Sequence, residues 1–478
     1  MLVPLELPEI RKHIGVFLEK LDLAQCVRVN KAWNTDFLPQ LWEKLELQSF
    51  LYEMPVVNVQ RLRQQKQLEF LDKHRDFVKH IRFKTPWFSG FSYLDLGTLP
   101  NLEDVSLALA DNFWLEKFLE FISMNPSIRR LQLTRVSRLS PVFWEKLLSA
   151  CPRLEYLSLR RVAVEPAPAE HFYALCSQLR HLELHKVILP PIPLPIAHDA
   201  FRHLRILHIE KSVTGYTVGD MMQLISGCPE LEKLRWENPY KKEISLFEDT
   251  IRKFSRLAVT GAWYRLENLH LSRAYIDDMD LAGIVSSLRR IRCLDVEGTK
   301  FGYLSFEALR PHLKEIEVLN LHRCRNVDRA AIVEILLSCP QLRVFKGRRI
   351  HAKDVVSTHG DISYRTWVCT SLRELALSFE FEQGVTEEEQ LNKDRMMTRV
   401  FEQLSRLTKL ETLNLGGYKA TGTSPDSEMQ LSLSKGFGKL STLRGMKYIC
   451  APRTGQDIGE NEVNWMIKHW EELEVFDG

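Results

Sequence analysis

Long apolar runs are missing from this chain: none approaches the roughly 18 residues a membrane span needs. A cleavable leader is not expected either, because Glu6 and Glu9 interrupt the opening apolar residues and no small-residue cleavage segment follows. Paired cysteine motifs are absent too. The nine cysteines are odd in number and none forms a C-x-x-C pair, which argues against a zinc ribbon or a thioredoxin-like site. No N-x-[ST] sequon has an allowed middle residue. Together these absences predict a reducing compartment, cytoplasm or nucleus, where free cysteines act as small buried hydrophobes. Charge of one sign is lacking as well: 65 Lys and Arg face 62 Asp and Glu, for a net +3. A nucleic-acid binder would concentrate its basic residues, and the nearest cluster here, Arg343 with Arg348 and Arg349, is short enough to read as a solvated face. Gly438-Lys439 lacks the Ser/Thr and spacing of a phosphate loop. No nucleophile–base pair stands out, so the sequence predicts neither an enzyme nor a cofactor.

What is present is a repeat. The pattern apolar-x-x-apolar-x-apolar recurs at Leu102-Val105-Leu107, Ile128-Leu131-Leu133, Leu154-Leu157-Leu159, Leu179-Leu182-Leu184 and Leu204-Leu207-Ile209. It continues at Leu231-Leu234-Trp236, Leu266-Leu269-Leu271, Ile291-Leu294-Val296 and Ile316-Leu319-Leu321. Further copies are a degenerate Leu342-Val344-Phe345, then Leu372-Leu375-Leu377 and Leu410-Leu413-Leu415, with weak ones at Leu440-Leu443 and Leu473-Phe476. About 3% of positions would match by chance; a held phase of roughly 25 residues would not arise that way, and it is the leucine-rich-repeat period. Between copies, Phe113, Leu115, Phe118, Leu119 and Ile122 follow helical spacing, and Asn125-Pro126, Cys151-Pro152, Cys228-Pro229 and Cys339-Pro340 stop the helices. Each unit therefore reads as strand, loop, helix and proline break. One unit cannot bury its own apolar face, so units stack. The expected fold is an α/β solenoid: a leucine-rich-repeat horseshoe with parallel strands on its concave face and helices on its convex face. The proline run Pro190, Pro191, Pro193 and Pro195 reads as a loop, and Thr421 to Ser427 as an exposed turn. Val463, Trp465, Met466 and Trp470 are expected to cap the stack.

The copy Ile316, Leu319, Leu321, Cys324, Val327, Ile332, Ile335, Leu336, Cys339, Pro340 resembles the cysteine-containing leucine-rich repeat, which implies a core role for its cysteines. The slot three residues before the first strand leucine is Cys at 151, 176, 228, 339 and 369.

Residues 1–47 break the period. Ile10, Ile14, Phe17 and Leu18 lie on one helical face, Asp22 reads as a helix cap before Leu23, and the segment predicts a bundle of about three short helices. A piece of fewer than about 50 residues cannot hide so much apolar surface alone, so it is expected to pack on something else. The order Leu7-Pro8, Ile10, Ile14, Leu18, Leu21, Leu23, Val29, Lys31, Trp33, Leu41-Trp42 resembles the F-box, with Asn30 where that family has Cys. The resemblance implies that Leu7, Pro8, Ile10, Ile14, Leu18, Leu21, Leu23, Val29, Trp33, Leu41 and Trp42 face either a Skp-family adaptor or the F-box core, two sets the sequence does not separate. Residues 48–100 read as an irregular linker and first repeat, with Leu62, Leu68, Phe70 and Leu71 helical and Val78, Ile81 and Phe83 a strand; 101–478 are the repeats and their cap.

An F-box joined to such repeats resembles the substrate receptor of SCF ubiquitin ligases, in a layout similar to fungal F-box proteins with cysteine-containing repeats. The resemblance implies a cullin–RING ligase reached through the adaptor, and a protein target on the repeats. In each strand the polar positions alternate outward, and Tyr156, Arg160, His181, His208, Arg235 and His270 are the candidate target-binding residues, Tyr and Arg being common interface anchors. The histidines interspersed with Glu183, Glu210 and Asp295 invite a metal reading, but the sequence selects no ligand set, and none is expected. Two alternatives stay open: a leucine-rich-repeat scaffold without a ligase role, and a leucine-rich GTPase-activating protein, which the shorter period and residues 5–47 disfavour.

Overall fold

The computed structural model describes residues 6–47, 69, 71–84, 96–110, 112–136, 138–165, 170–189, 201–214, 224–237, 256, 263–274, 276–356, 366–381, 386–416, 429–451 and 458–477. Leu62, Leu68, Phe70, the four prolines of 190–195 and the 421–427 turn lie outside the described residues. The chain divides into two compact units, Met1–Pro229 and Glu230–Gly478.

The first unit opens with three helices, α1 (Pro8–Gly15), α2 (Lys20–Cys26) and α3 (Lys31–Glu43). Pro8 starts α1, where its missing N–H is no loss. The Asn30 side chain accepts a hydrogen bond from the Trp33 amide and caps α3. The cap expected at Asp22 is not there: α2 begins at Lys20, after Glu19, and Asp22 sits inside its first turn, where a carboxylate favours the positive end of the helix dipole. A buried ion pair ties the bundle together, Arg11 on α1 reaching Asp36 on α3 at 2.5 Å. Helix α3 runs straight into strand β1 (Lys44–Leu47), which pairs in parallel with β2 (His80–Phe83). The strand expected around Val78, Ile81 and Phe83 is thus present, and all three residues are buried.

Parallel pairing then continues in chain order through β3 (Asp104–Ala108), β4 (Arg130–Thr134), β5 (Tyr156–Arg160), β6 (His181–Ile188) and β7 (Ile206–Thr214). The repeat leucines supply the core: Leu131, Leu157, Leu182 and Leu207 stand in register across neighbouring strands and are buried. Helices α4 (Asn112–Ser123), α5 (Pro141–Ala150) and α6 (Glu170–Cys176) fill the intervals. Ser140 caps α5 and Pro141 is its first residue, so the sequence sets both the start and, at Cys151-Pro152, the end. Asn125 does more than stop a helix. Its buried side chain accepts from the Leu99 amide (2.7 Å) and donates to the Phe121 carbonyl (2.8 Å), clasping one repeat to the previous one.

In the second unit the parallel order is β8 (Lys233–Glu237), β9 (Asn268–His270), β10 (Cys293–Asp295), β11 (Val318–Asn320), β12 (Val344–Lys346), β14 (Glu374–Ala376), β16 (Thr412–Asn414), β17 (Tyr448–Cys450) and β18 (Val475–Asp477). Two short strands, β13 (Ile350–His351) and β15 (Phe379–Glu380), pair with each other. The helices are α7 (Asp278–Ser287), α8 (Tyr303–Leu309), α9 (Arg329–Ser338), α10 (Ala352–Val356), α11 (Glu387–Leu404) and α12 (Glu460–His469). The charged helix at Glu387-Glu388-Glu389 is α11, closed by a capping box between Thr386 and Glu389. Both units are leucine-rich-repeat solenoids.

Three details correct the sequence reading. The copy at 342 is not degenerate in the way expected: Phe345, not Val344, is the buried strand residue, and Gly347 takes the third apolar slot, where an added Cβ would come within 2.9 Å of Leu377. Leu440 and Leu443 belong to and follow a 3-10 turn, while the strand lies at Tyr448–Cys450 with Ile449 buried. The terminal helix buries Met466 and Trp470 but does not cover the last strand, whose Val475 and Phe476 stay exposed.

The residue two places after the third apolar position adopts a left-handed backbone in copy after copy, at Arg135, Arg161 and Lys186 in the first unit and Arg273, Gly298 and Arg323 in the second. That conformation costs roughly 1–2 kcal/mol for a residue with a Cβ. It turns each chain off its strand while the amide still reaches the next repeat, as Arg161 N–H does to the His185 carbonyl at 2.8 Å.

Candidate functional site

The helical segment sorts its eleven candidate residues by burial. Leu23 is buried and belongs to the bundle core, alongside Phe37, which the motif did not point to. Leu7, Ile10, Ile14, Leu18, Trp33, Leu41 and Trp42 are half-buried. Trp33 leans on Phe37, and Trp42 lies 4.8 Å from the His74 ring, so each already has a partner within the chain. Pro8 is exposed, and Leu21 and Val29 are 78% and 57% exposed. Two residues outside the candidate set join them: Val16 and Phe17, at 74% and 75%. Phe17 shares the helical periodicity of Ile14, but α1 ends at Gly15 and the turn swings Phe17 out to solvent. Four large apolar side chains between residues 16 and 29 therefore face water.

On the repeats, the outward polar positions form columns through strand register. In the first unit Gln132, Ser158, Glu183 and His208 stand opposite one another in succession, and beside them Arg130, Tyr156, His181 and Ile206. Of the six candidate target-binding residues, Tyr156, Arg160, His181 and His208 converge here on Glu183. Glu183 Oε1 lies 3.2 Å from His181 Nε2 and 3.4 Å from His208 Nδ1. Its other oxygen accepts from Ser158 Oγ at 3.2 Å and Arg160 at 3.5 Å. His181 and His208 beside it hold the Glu183 carboxyl far below the usual carboxylate range. The Tyr156 ring stacks edge-on against His181 at 4.6 Å, and the Arg130 guanidinium sits over it at 4.2 Å. Burial, with the Glu183 charge, pushes the Tyr156 hydroxyl up to about 12. This cluster is half-buried and polar, and hydrogen bonds, ion pairs and ring contacts join its members.

Arg235 and His270 lie in the second unit. Arg235 is held by Glu237 on its own strand at 2.6 Å. His270 Nδ1 is 3.7 Å from Asp295, whose carboxylate also accepts from Ser272 Oγ at 2.9 Å and the Glu297 amide at 3.1 Å. Burial alone would raise the Asp295 pKa; these bonds outweigh it, His270 foremost, and bring it down to about 2. Because the folded pKa lies below the unfolded one, the stabilisation is whole above about pH 4 and is lost as pH falls toward 2. Asp295→Asn should cost on the order of 2 kcal/mol near neutral pH, measured by urea unfolding, with the gap to the parent protein closing between pH 4 and pH 2. A gap that stayed constant across that range would contradict the assignment.

A second feature escaped the sequence reading although it is written there. The residue directly after the first apolar position of the pattern is charged in copy after copy: Glu103, Arg129, Glu155, Arg180 and Arg205 in the first unit, then Glu232, Glu267, Arg292, Glu317, Arg343, Arg373, Glu411, Lys447 and Glu474 in the second. Neighbours of opposite sign pair along this edge, Arg292 with Glu317, Arg343 with Glu317 at 3.6 Å, Arg373 with Glu411 at 3.3 Å. A cavity of about 640 Å³ opens there, lined by Arg265, Arg290, Arg292, Glu267 and Glu317. Its arginines all have carboxylate partners, Arg265 pairing with Glu230, Arg290 with Glu315 and Arg292 with Glu317. The Arg343, Arg348 and Arg349 cluster is likewise engaged in part: Arg348 donates to the Arg325 and Val327 carbonyls at 2.5 and 3.0 Å.

The five cysteines of the recurrent slot, 151, 176, 228, 339 and 369, are all buried, and burial pushes the Cys151, Cys339 and Cys369 thiols up to about 12. Cys324 is buried as well and donates to the Val296 carbonyl at 3.0 Å. Thiols so protonated pack rather than attack. No described helix is long and apolar enough to cross a membrane.

No family model matches this sequence, and no curated protein matches it. Solved structures similar to it include Rad7 in its complex with Elc1 from yeast, 16% identical over 77% of this chain and 86% of that one, with a TM-score of 0.43. Another is an internalin, InlF, of Listeria monocytogenes, 12% identical over 80% of this chain and 82% of that one, with a TM-score of 0.38.

Proposed function

We propose that this chain is the substrate-recognition subunit of an SCF-type ubiquitin ligase. Its helical segment docks a Skp-family adaptor, and the polar face of its repeats holds a protein target. The chain itself catalyses nothing on this reading; its work is to raise the effective concentration of target lysines near a ubiquitin-charged enzyme carried by the cullin–RING partner.

The observation that carries the proposal is the outward set Val16, Phe17, Leu21 and Val29. A three-helix piece held rigid by a buried Arg11–Asp36 pair keeps four large apolar side chains in water. Burying each would return roughly 1.5–3 kcal/mol, a strong reason for a partner. The order of residues from Leu7-Pro8 to Leu41-Trp42 names the class of partner through its resemblance to the F-box.

The test is co-expression of the full chain with a Skp-type adaptor, followed by a cullin pulldown and ubiquitin transfer to captured targets. A stable complex with adaptor, cullin and transfer supports the ligase reading. Adaptor binding with no cullin would favour the scaffold alternative, and no adaptor binding at all would remove the proposal.

A further inference from the structure

Three potential ligand atoms meet on the polar face of β6 and β7. His181 and Glu183 lie two residues apart on β6, hence on the same face, and His208 is the cross-strand partner of Glu183 on β7. One donor atom from each of His181, Glu183 and His208 lies within 4.8 Å of the other two. The geometry points to a divalent transition-metal site at these atoms, of the kind zinc occupies, with a fourth position open toward solvent on the polar face of the strands.

The spacing supports it. Zinc bonds of about 2.0–2.2 Å in a tetrahedron place neighbouring donors roughly 3.3–3.6 Å apart. Two of the three edges are already there, at 3.2 and 3.4 Å. Donor atoms of the two histidines come within 4.8 Å of each other. The donors, two imidazoles and a carboxylate, suit zinc and leave room for an exogenous ligand.

A second observation separates this from a plain hydrogen-bonded cluster. His181 Nε2 is shielded from solvent and makes no hydrogen bond among the described residues, although Glu183 Oε1 is close by. A buried ring nitrogen without a hydrogen bond is costly to keep, and a metal ion satisfies it. The far side of the carboxylate is already braced: Ser158 and Arg160 both bind Glu183 Oε2, which leaves Oε1 turned to the two histidines. Such outer bonds are how ligands are oriented before the ion arrives. The open position would take water, or a histidine, cysteine or carboxylate side chain of a bound protein. The inference does not depend on the helical segment or on any ligase role.

Titration of the metal-stripped full-length protein with Co²⁺, as a spectroscopic stand-in for Zn²⁺, tests it, with Zn²⁺ stoichiometry measured by equilibrium dialysis. Expected are one equivalent bound and the intense visible bands of a tetrahedral Co²⁺ centre, abolished by excess Zn²⁺. His181→Ala and His208→Ala should weaken binding at least a hundredfold, and Glu183→Gln at least tenfold. Ser158→Ala, which removes a brace on Glu183 but no donor to the ion, should weaken it about tenfold. His185→Ala and His270→Ala, next to other carboxylates, should leave it unchanged, and circular dichroism of every variant should match the parent. Weak octahedral bands, no binding, or binding that survives loss of both His181 and His208 would overturn the assignment.

Discussion

Phe17→Asp combined with Leu21→Asp should abolish co-purification with a Skp-type adaptor, weakening the complex by more than a hundredfold. The two side chains are three-quarters exposed in the free chain, so the substitutions remove nothing from the core. Far-UV spectra and the unfolding midpoint should stay within error of the parent, since surface changes of this kind usually move stability by less than about 0.5 kcal/mol. In the complex the same positions would be desolvated, and an unpaired carboxylate buried there costs several kcal/mol. Leu23→Asp is the contrasting variant: Leu23 is buried in the bundle, so it should lose both the adaptor and the fold of the segment. Adaptor binding that persisted in the Phe17/Leu21 double variant would show that these side chains are not the docking surface, and would shift attention to Pro8 and Val29.

Trp144→Ala should be the most damaging single change in the first unit's repeats, lowering stability by about 3–5 kcal/mol. Trp144 is among the largest fully buried side chains and packs edge-on against Phe143 and Phe172, so it bridges α5 to the next repeat. Removing it opens a cavity at a junction, and in a solenoid each unit is stabilised chiefly by its neighbours. Hydrogen exchange should therefore show loss of protection spreading through β4, β5 and β6 rather than remaining at α5. Trp144→Phe should cost much less than the lost volume suggests. The indole Nε1 is buried with no hydrogen bond among the described residues, and deleting an unsatisfied donor recovers part of the penalty. An equal loss in both variants would show that the orphaned N–H carries no cost.

The motif reading did not separate the apolar side chains of the helical segment that pack inward from those that face water. Leu23 and Val29 look alike as letters, but one is core and the other is in water. Phe17 continues the α1 pattern on paper, while the helix stops two residues earlier. Helix ends depend on capping and on packing against α3, neither of which periodicity encodes. The registers at 342 and 440 slipped for a related reason. Pattern matching rewards any nearby leucine, whereas a strand is placed by its hydrogen bonds to the strand before it.

The solenoid itself was decided by the sequence. A 25-residue phase of leucines, with cysteines and prolines closing several of the helices, leaves stacking as the way to bury every apolar face. Alternation along each strand also settled which side chains would be polar and outward. Only the tertiary structure decided which of those outward residues meet. His181, Glu183 and His208 are separated by up to 27 positions, and they converge because parallel strands about 4.8 Å apart bring one repeat's residues against the next. The same holds for the helical segment, where packing against α3 settled which apolar side chains the bundle keeps and which it leaves in water.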